Sequence, residues 1–157
     1  MAAVDNYTAE ANKAVYASGF VNGGKLVCLD ALIETRANGE VNDVYRFAKD
    51  IDANLIPIDL WLANGALQSA TCDIGIYKPE GGAVVDADAL DGALSISAAS
   101  NHTQGLTDVA IADMQKSLAE LAGLDPATHA HVDLGIKFTG AAQQGTKIAV
   151  KALFLQK

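Results

Sequence analysis

The sequence predicts an all-β fold, a two-sheet β-sandwich of jelly-roll type with one α-helix, and three observations carry that prediction. Within residues 54–94, Ile56, Ile58, Leu60 and Leu62 recur at every second position, as do Cys72, Ile74 and Ile76. That is the period of strands with one buried face, so the two runs are read as paired strands sharing one core. The same period returns near the C-terminus in Val132, Leu134, Ile136 and Phe138, and again in Ile148, Val150, Ala152 and Phe154. Finally, about seven such runs stand against a single run of helical spacing, with none of the strand and helix alternation of a parallel sheet. Two packed antiparallel sheets are the solution that buries so many one-sided strands.

Taken in order, residues 1–24 are rich in Ala, Asn and Gly and carry scattered apolar side chains. They read as a flexible N-terminal arm, with a weak helix open to residues 8–17, ahead of a single sandwich domain over 25–157. The first confident strand is 25–36, with Val27, Leu29, Ala31 and Ile33 on one face. Asn38-Gly39 tolerates the positive φ of a type I′ turn, which predicts a hairpin to a strand over 41–51 with Tyr45 and Phe47 inward. Pro57 cannot donate to a ladder, so the next strand starts near it or lies at an edge there. Gly75 faces away from Ile74 and Ile76, where a missing side chain admits a close neighbour. Residues 84–91 read as irregular, 93–98 as a short strand and 101–105 as a polar loop. Over 107–122, Ile111, Met114, Leu118 and Leu121 recur at three and four, with Thr107 or Asp108 as cap, Gly123 past the end and Pro126 as a stop; this is the predicted helix. The last two strands are expected to form a hairpin across 140–145.

Composition excludes several functions. The formal charge is −8, and only Lys147 and Lys151 are regularly spaced cations, too few for a phosphate-binding surface. A nucleic-acid partner is therefore not expected. No apolar run approaches the length of a membrane span and no signal peptide opens the chain, so no membrane is expected either. Cys28 and Cys72 lie in predicted strands without metal spacing and read as reduced thiols.

The candidate chemical constellations are weak. His129, His131 and Asp133 share one strand face and offer metal-ligand chemistry, but the run continues into Gly135, Lys137 and Thr139, the ordinary polar face of a half-buried strand. Asp86, Asp88 and Asp91-Gly92 resemble fragments of a calcium loop without its spacing or its closing Glu. There is no Gly-rich phosphate loop and no nucleophile elbow. No catalytic residue, metal or cofactor is expected, and the chain reads as a non-enzyme. Trp61 shares the face of Asp59, opposite Leu60 and Leu62, where it packs within the subunit or marks a partner surface. Ala149, Lys151, Leu153 and Leu155 make a second face of the last strand too apolar to stay fully wetted, which predicts self-association as a dimer or trimer, or on a larger assembly.

Three segments together resemble a class of tailed-bacteriophage virion structural proteins, the head decoration or cement proteins: NDVYRFAKDIDANLIPIDLWL, CDIGIYKPEGGAVVDADALDGALSIS and KSLAELAGLDPATHAHVDLGIKFTGAAQQGTKIAVKALFL. The resemblance spans residues 41–155 and rests on the D-x-G-x-Y run at 73–77, the V-V-D-A-D run at 84–88 and the L-A-E-L-A-G-L run at 118–124. It implies a capsid decoration protein on the virion exterior, assembled in the host cytoplasm, that binds the major capsid protein and stabilises the head by bridging capsid subunits. In that role the arm is the expected partner-binding element, anchored by Tyr7, Val15, Tyr16 and Phe20. The alternative is a carbohydrate or host-receptor binding module on the virion, since jelly rolls also serve as lectins.

Overall fold

Alternation decides which side chains go inside, while backbone pairing decides which strands become neighbours. The computed structural model describes residues 5–7, 14–21, 24–37, 39–66, 70–140 and 145–156, with backbone alone described for the first two segments. Ten strands are described: β1 (Asp5–Tyr7), β2 (Ala14–Val21), β3 (Gly24–Glu34), β4 (Val44–Asp52), β5 (Ile56–Asn64), β6 (Thr71–Tyr77), β7 (Val84–Ser95), β8 (Ser100–Gln104), β9 (His131–Phe138) and β10 (Lys147–Gln156). They form two sheets, β1-β4-β9-β6-β7 and β2-β3-β10-β5-β8, which we call A and B.

The jelly roll is legible in the pairing. β3 pairs with β10, β4 with β9, β5 with β8 and β6 with β7, all antiparallel. This is one long nested hairpin of eight strands, wound so that successive pairs fall in opposite sheets, and the β10–β5 and β9–β6 pairings stitch it laterally. β1 and β2 are additions to that winding: β1 lies parallel to β4 at one edge of sheet A, and β2 lies antiparallel to β3 at the matching edge of sheet B.

The inner faces supply the core. Val27, Leu29, Ala31 and Ile33 of β3 and Ile148, Val150 and Phe154 of β10 face Phe47, Ile74, Leu134 and Ile136 of sheet A, all buried. Tyr45 and Phe138 meet edge to face at 5.6 Å between ring centroids.

Several expectations are corrected. β5 and β6 share the core but sit in opposite sheets, and so do β3 and β4, and β9 and β10. None of these is a hairpin: each connection crosses from one sheet to the other, and the Asn38 half of the expected turn lies outside the described residues. Ile58 is 51% exposed because the β5–β10 register slips at Pro57, which cannot donate to the ladder; the resulting bulge turns Ile58 outward. Residues 84–91 are strand, hidden from the period by slips in the β6–β7 register, and most of 101–105 is the polar edge strand β8. Residues 14–17, expected as weak helix, are strand at the edge of β3.

The helix is the largest correction. Instead of spanning 107–122 it is a 3₁₀ turn at Ile111–Asp113 and one α-helical turn, α1 (Leu118–Leu121). The expected caps are used elsewhere. Thr107 donates through its amide and hydroxyl to the buried Asp91 carboxylate at 2.9 and 2.7 Å, and Asp108 accepts from Gly92 N. The true start is Ser117, whose hydroxyl accepts from Glu120 N while Glu120 accepts from Ser117 N at 2.8 Å. That S-x-x-E capping box was readable in the sequence.

Candidate interaction surface

The outer faces of the two sheets differ in kind. On sheet A, Arg46 of β4 is buried and donates to the Asp133 carboxylate of β9 at 2.9 Å, to Lys78 O at 2.7 Å and to Gly82 O at 2.6 Å. It thereby ties the β6–β7 loop down over its own sheet. Asp133 also accepts from Asp50 N at 2.7 Å, and the Tyr77 ring lies beneath the Arg46 guanidinium at 4.9 Å. The close neighbour anticipated at Gly75 is β7: a Cβ there would stand 2.3 Å from Ala87 O. At the paired Gly135 a Cβ would stand 2.9 Å from the Tyr77 ring.

These contacts settle where the proposed metal residues lie. Asp133 is held by Arg46, His131 is exposed at the start of β9, and His129 sits in a turn with its ring 2.9 Å from the Thr128 hydroxyl. The three are not brought together, and among the described residues no group of three His, Cys, Asp or Glu is arranged to hold a metal ion. Of the acidic run, Asp91 binds Thr107, while burial and the neighbouring Asp88 raise the Asp86 carboxyl above its ordinary pKa. Cys72 is a core thiol pushed up to about 12 by burial and by the negative charges of Asp73 and Asp91, so it stays protonated and unreactive.

Among the described residues, none covers the outer face of sheet B. The outward residues of β3 are Leu26, Cys28, Asp30, Leu32 and Glu34, and those of β10 are Lys147, Ala149, Lys151, Leu153 and Leu155. Strand register sets them side by side, so that Lys147 lies beside Glu34, Ala149 beside Leu32, Lys151 beside Asp30, Leu153 beside Cys28 and Leu155 beside Leu26. Charged and apolar positions therefore coincide row by row. Lys151 reaches Asp30 at 3.4 Å and lies 5.6 Å from the Trp61 ring, whose centroid is 5.2 Å from that of His102 of β8 with the two planes tilted by 38°. Trp61 is partly exposed on β5, beside a shallow depression of about 380 Å³ lined by Cys28, Asp30, Asp59, Lys151 and Leu153. In the sequence His102 belongs only to a polar stretch without apolar alternation, so nothing there points to the strand β8 that sets it beside Trp61. A second apolar groove, about 400 Å³, runs between the bulged Ile58 and Leu106, Val109 and Met114.

Of the four arm residues, Tyr7 lies in β1 and Val15, Tyr16 and Phe20 lie in β2; their side chains fall outside the described residues.

Two solved phage capsids share this fold. The capsid of Ralstonia phage GP4 matches with a TM-score of 0.64 over 99% of this chain and 99% of that chain, at 18% identity. The cyanophage Pam1 capsid asymmetric unit matches with a TM-score of 0.56 over 96% of this chain and 98% of that chain, at 14% identity. At these identities the likeness is one of fold. By sequence the chain matches no protein-family model and no curated protein.

Proposed function

We propose that the protein is a non-enzymatic structural component of a tailed-phage virion, specifically a decoration protein on the outside of the head that bridges major capsid subunits. The observation that carries this reading is the end-to-end likeness to chains of two phage capsids: in both cases the shared fold accounts for nearly all of each chain. An open, half-apolar sheet face and an acidic chain of net charge −8 fit a protein that binds protein and avoids packaged DNA. Residues 1–24 are proposed as the head-binding arm, with Tyr7, Val15, Tyr16 and Phe20 as its contacts. Support comes from topology, since the eight-strand winding closes without β1 and β2, which pair with β4 and β3 as edge strands and turn their outer edges toward a partner's sheet. Repetition over the shell would let modest contacts add up to reinforcement.

Co-sedimentation with expanded heads lacking this protein tests the reading. The full chain should pellet with heads to a saturating stoichiometry. A chain lacking residues 1–22 should keep its melting temperature and lose occupancy several-fold. A full chain that stays in the supernatant overturns the decoration role, and a truncated chain that binds as well as the full one moves the contact to the sandwich.

One observation favours a second reading, a saccharide or host-receptor module: Trp61 offers a partly open ring beside the Asp30 and Asp59 carboxylates, a combination suited to stacking and hydrogen bonding a sugar. Saccharide binding on a glycan array, abolished by Trp61→Ala and without affinity for heads, would establish it in place of decoration.

A further inference from the structure

We propose that two copies of this chain pack face to face through sheet B, about a twofold axis that runs parallel to β3 and β10 and midway between them. The proposal concerns how copies meet and does not depend on head binding. Its basis is the separation of charge on the face: the outward charges of β3 are both acidic, Asp30 and Glu34, and those of β10 are both basic, Lys147 and Lys151, on the same two rows.

Two axes in the plane of the contact bring such faces together. An axis across the strands lays β3 over β3 and β10 over β10, so that acid meets acid and base meets base. An axis along the strands lays β3 of one copy over β10 of the other without changing the row. Asp30 then covers the second copy's Lys151 and Glu34 covers its Lys147, while Leu32 lies over Ala149, Cys28 over Leu153 and Leu26 over Leu155. Only the second arrangement is complementary, and each contact occurs twice, as an isologous interface requires.

The central row gains most. Aligned sheets pack with their strands about 30° apart, so register holds near the middle of the face and splays toward the ends. Asp30 and Lys151, already 3.4 Å apart within one chain, sit on the middle row and would form an alternating four-charge cluster with their symmetry mates. The size is adequate as well. An axis midway between β3 and β10 overlaps four strands, β2, β3, β10 and β5, of 8, 11, 10 and 9 residues; at about 3.4 Å per residue and about 4.8 Å between strands they present on the order of 600 Å² per copy, the lower end of the range for specific interfaces.

Sedimentation velocity over a dilution series tests this, with two variants that each reverse one strand. Lys147→Glu with Lys151→Glu makes both strands of the face acidic, and Asp30→Lys with Glu34→Lys makes both basic. The wild type should run as a dimer and each variant alone as a monomer. An equimolar mixture of the two variants should regain the dimer mass, because the acidic copy then faces the basic one on both strands. A wild type that is monomeric throughout, variants that dimerise like the wild type, or a mixture that stays monomeric each overturns the proposal. Should either reversal fail to fold, Leu32→Ser at its 42% exposed position serves instead, with dimer association expected to weaken about tenfold or more and an unchanged dimer counting against the axis.

Discussion

The two sheets of this sandwich treat their outer faces in opposite ways. Sheet A covers its own: two glycines stand side by side, β7 crosses one of them, the Tyr77 ring covers the other, and a buried arginine pins the β6–β7 loop over the rest. Sheet B places leucines, a tryptophan and ordered charge rows on its surface and covers none of them with the described chain. A fold that can close one face with its own residues but leaves the other half-apolar has a surface available for another molecule. The difference also separates two kinds of energy: on sheet A polar groups are buried and fully committed to folding, while on sheet B they remain in water and matter chiefly when a partner arrives.

The largest effect should come from opening the closed face. Arg46→Ala strands the buried Asp133 carboxylate and frees two loop carbonyls, and should cost about 3–5 kcal/mol in a denaturant titration. Gly75→Ala, which drives a Cβ into the β7 backbone, should cost about 3 kcal/mol or more by the same measurement. If either variant is as stable as the wild type, the cover is ornamental and the contrast between the faces fails. Next in size comes the opposite test on sheet B. Lys147→Glu with Lys151→Glu should change stability by no more than about 1 kcal/mol, since exposed pairs contribute little to folding. The smallest effect belongs to Asp86, whose proton is held more tightly folded than unfolded. Its ionisation therefore opposes folding, so this contribution favours the native state at low pH and is lost as pH rises through the raised folded value. Asp86→Asn should accordingly stabilise the protein slightly at neutral pH, with the gain disappearing below the ordinary Asp pKa of about 3.9.

How much of this was legible follows from what periodicity encodes. Period two identified the inner rows of β3, β5, β6, β9 and β10 and the apolar second face of β10, because each is a property of one strand alone. It could not say which strand lies beside which. The expected hairpins at 38–39 and 140–145 failed for that reason: in a jelly roll, neighbours along the chain are sent to opposite sheets, and the β3–β10 pair joins residues more than a hundred positions apart. The charge rows of sheet B exist only through that pairing, as does the Arg46–Asp133 pair. Bulges hid the rest, since the slip at Pro57 turned Ile58 outward and those opposite β6 erased the alternation of β7. The helix over 107–122 failed because its spacing was real but the first half of its stripe had nowhere to pack: Ile111 is 88% exposed and Met114 56%, while Leu118 and Ala119 of α1 are buried in the core and Leu121 packs partly against it.

The contrast between the faces is tested most directly by hydroxyl-radical footprinting of the wild-type protein, dilute and concentrated, read residue by residue. Protection on concentration should be confined to the outer face of sheet B, at Leu32, Trp61 and Leu153, with Val84 of sheet A and Ile111 in the β8–β9 connection labelled equally in both conditions. Protection of Val84 or Ile111, with Leu32 and Trp61 unchanged, would contradict it.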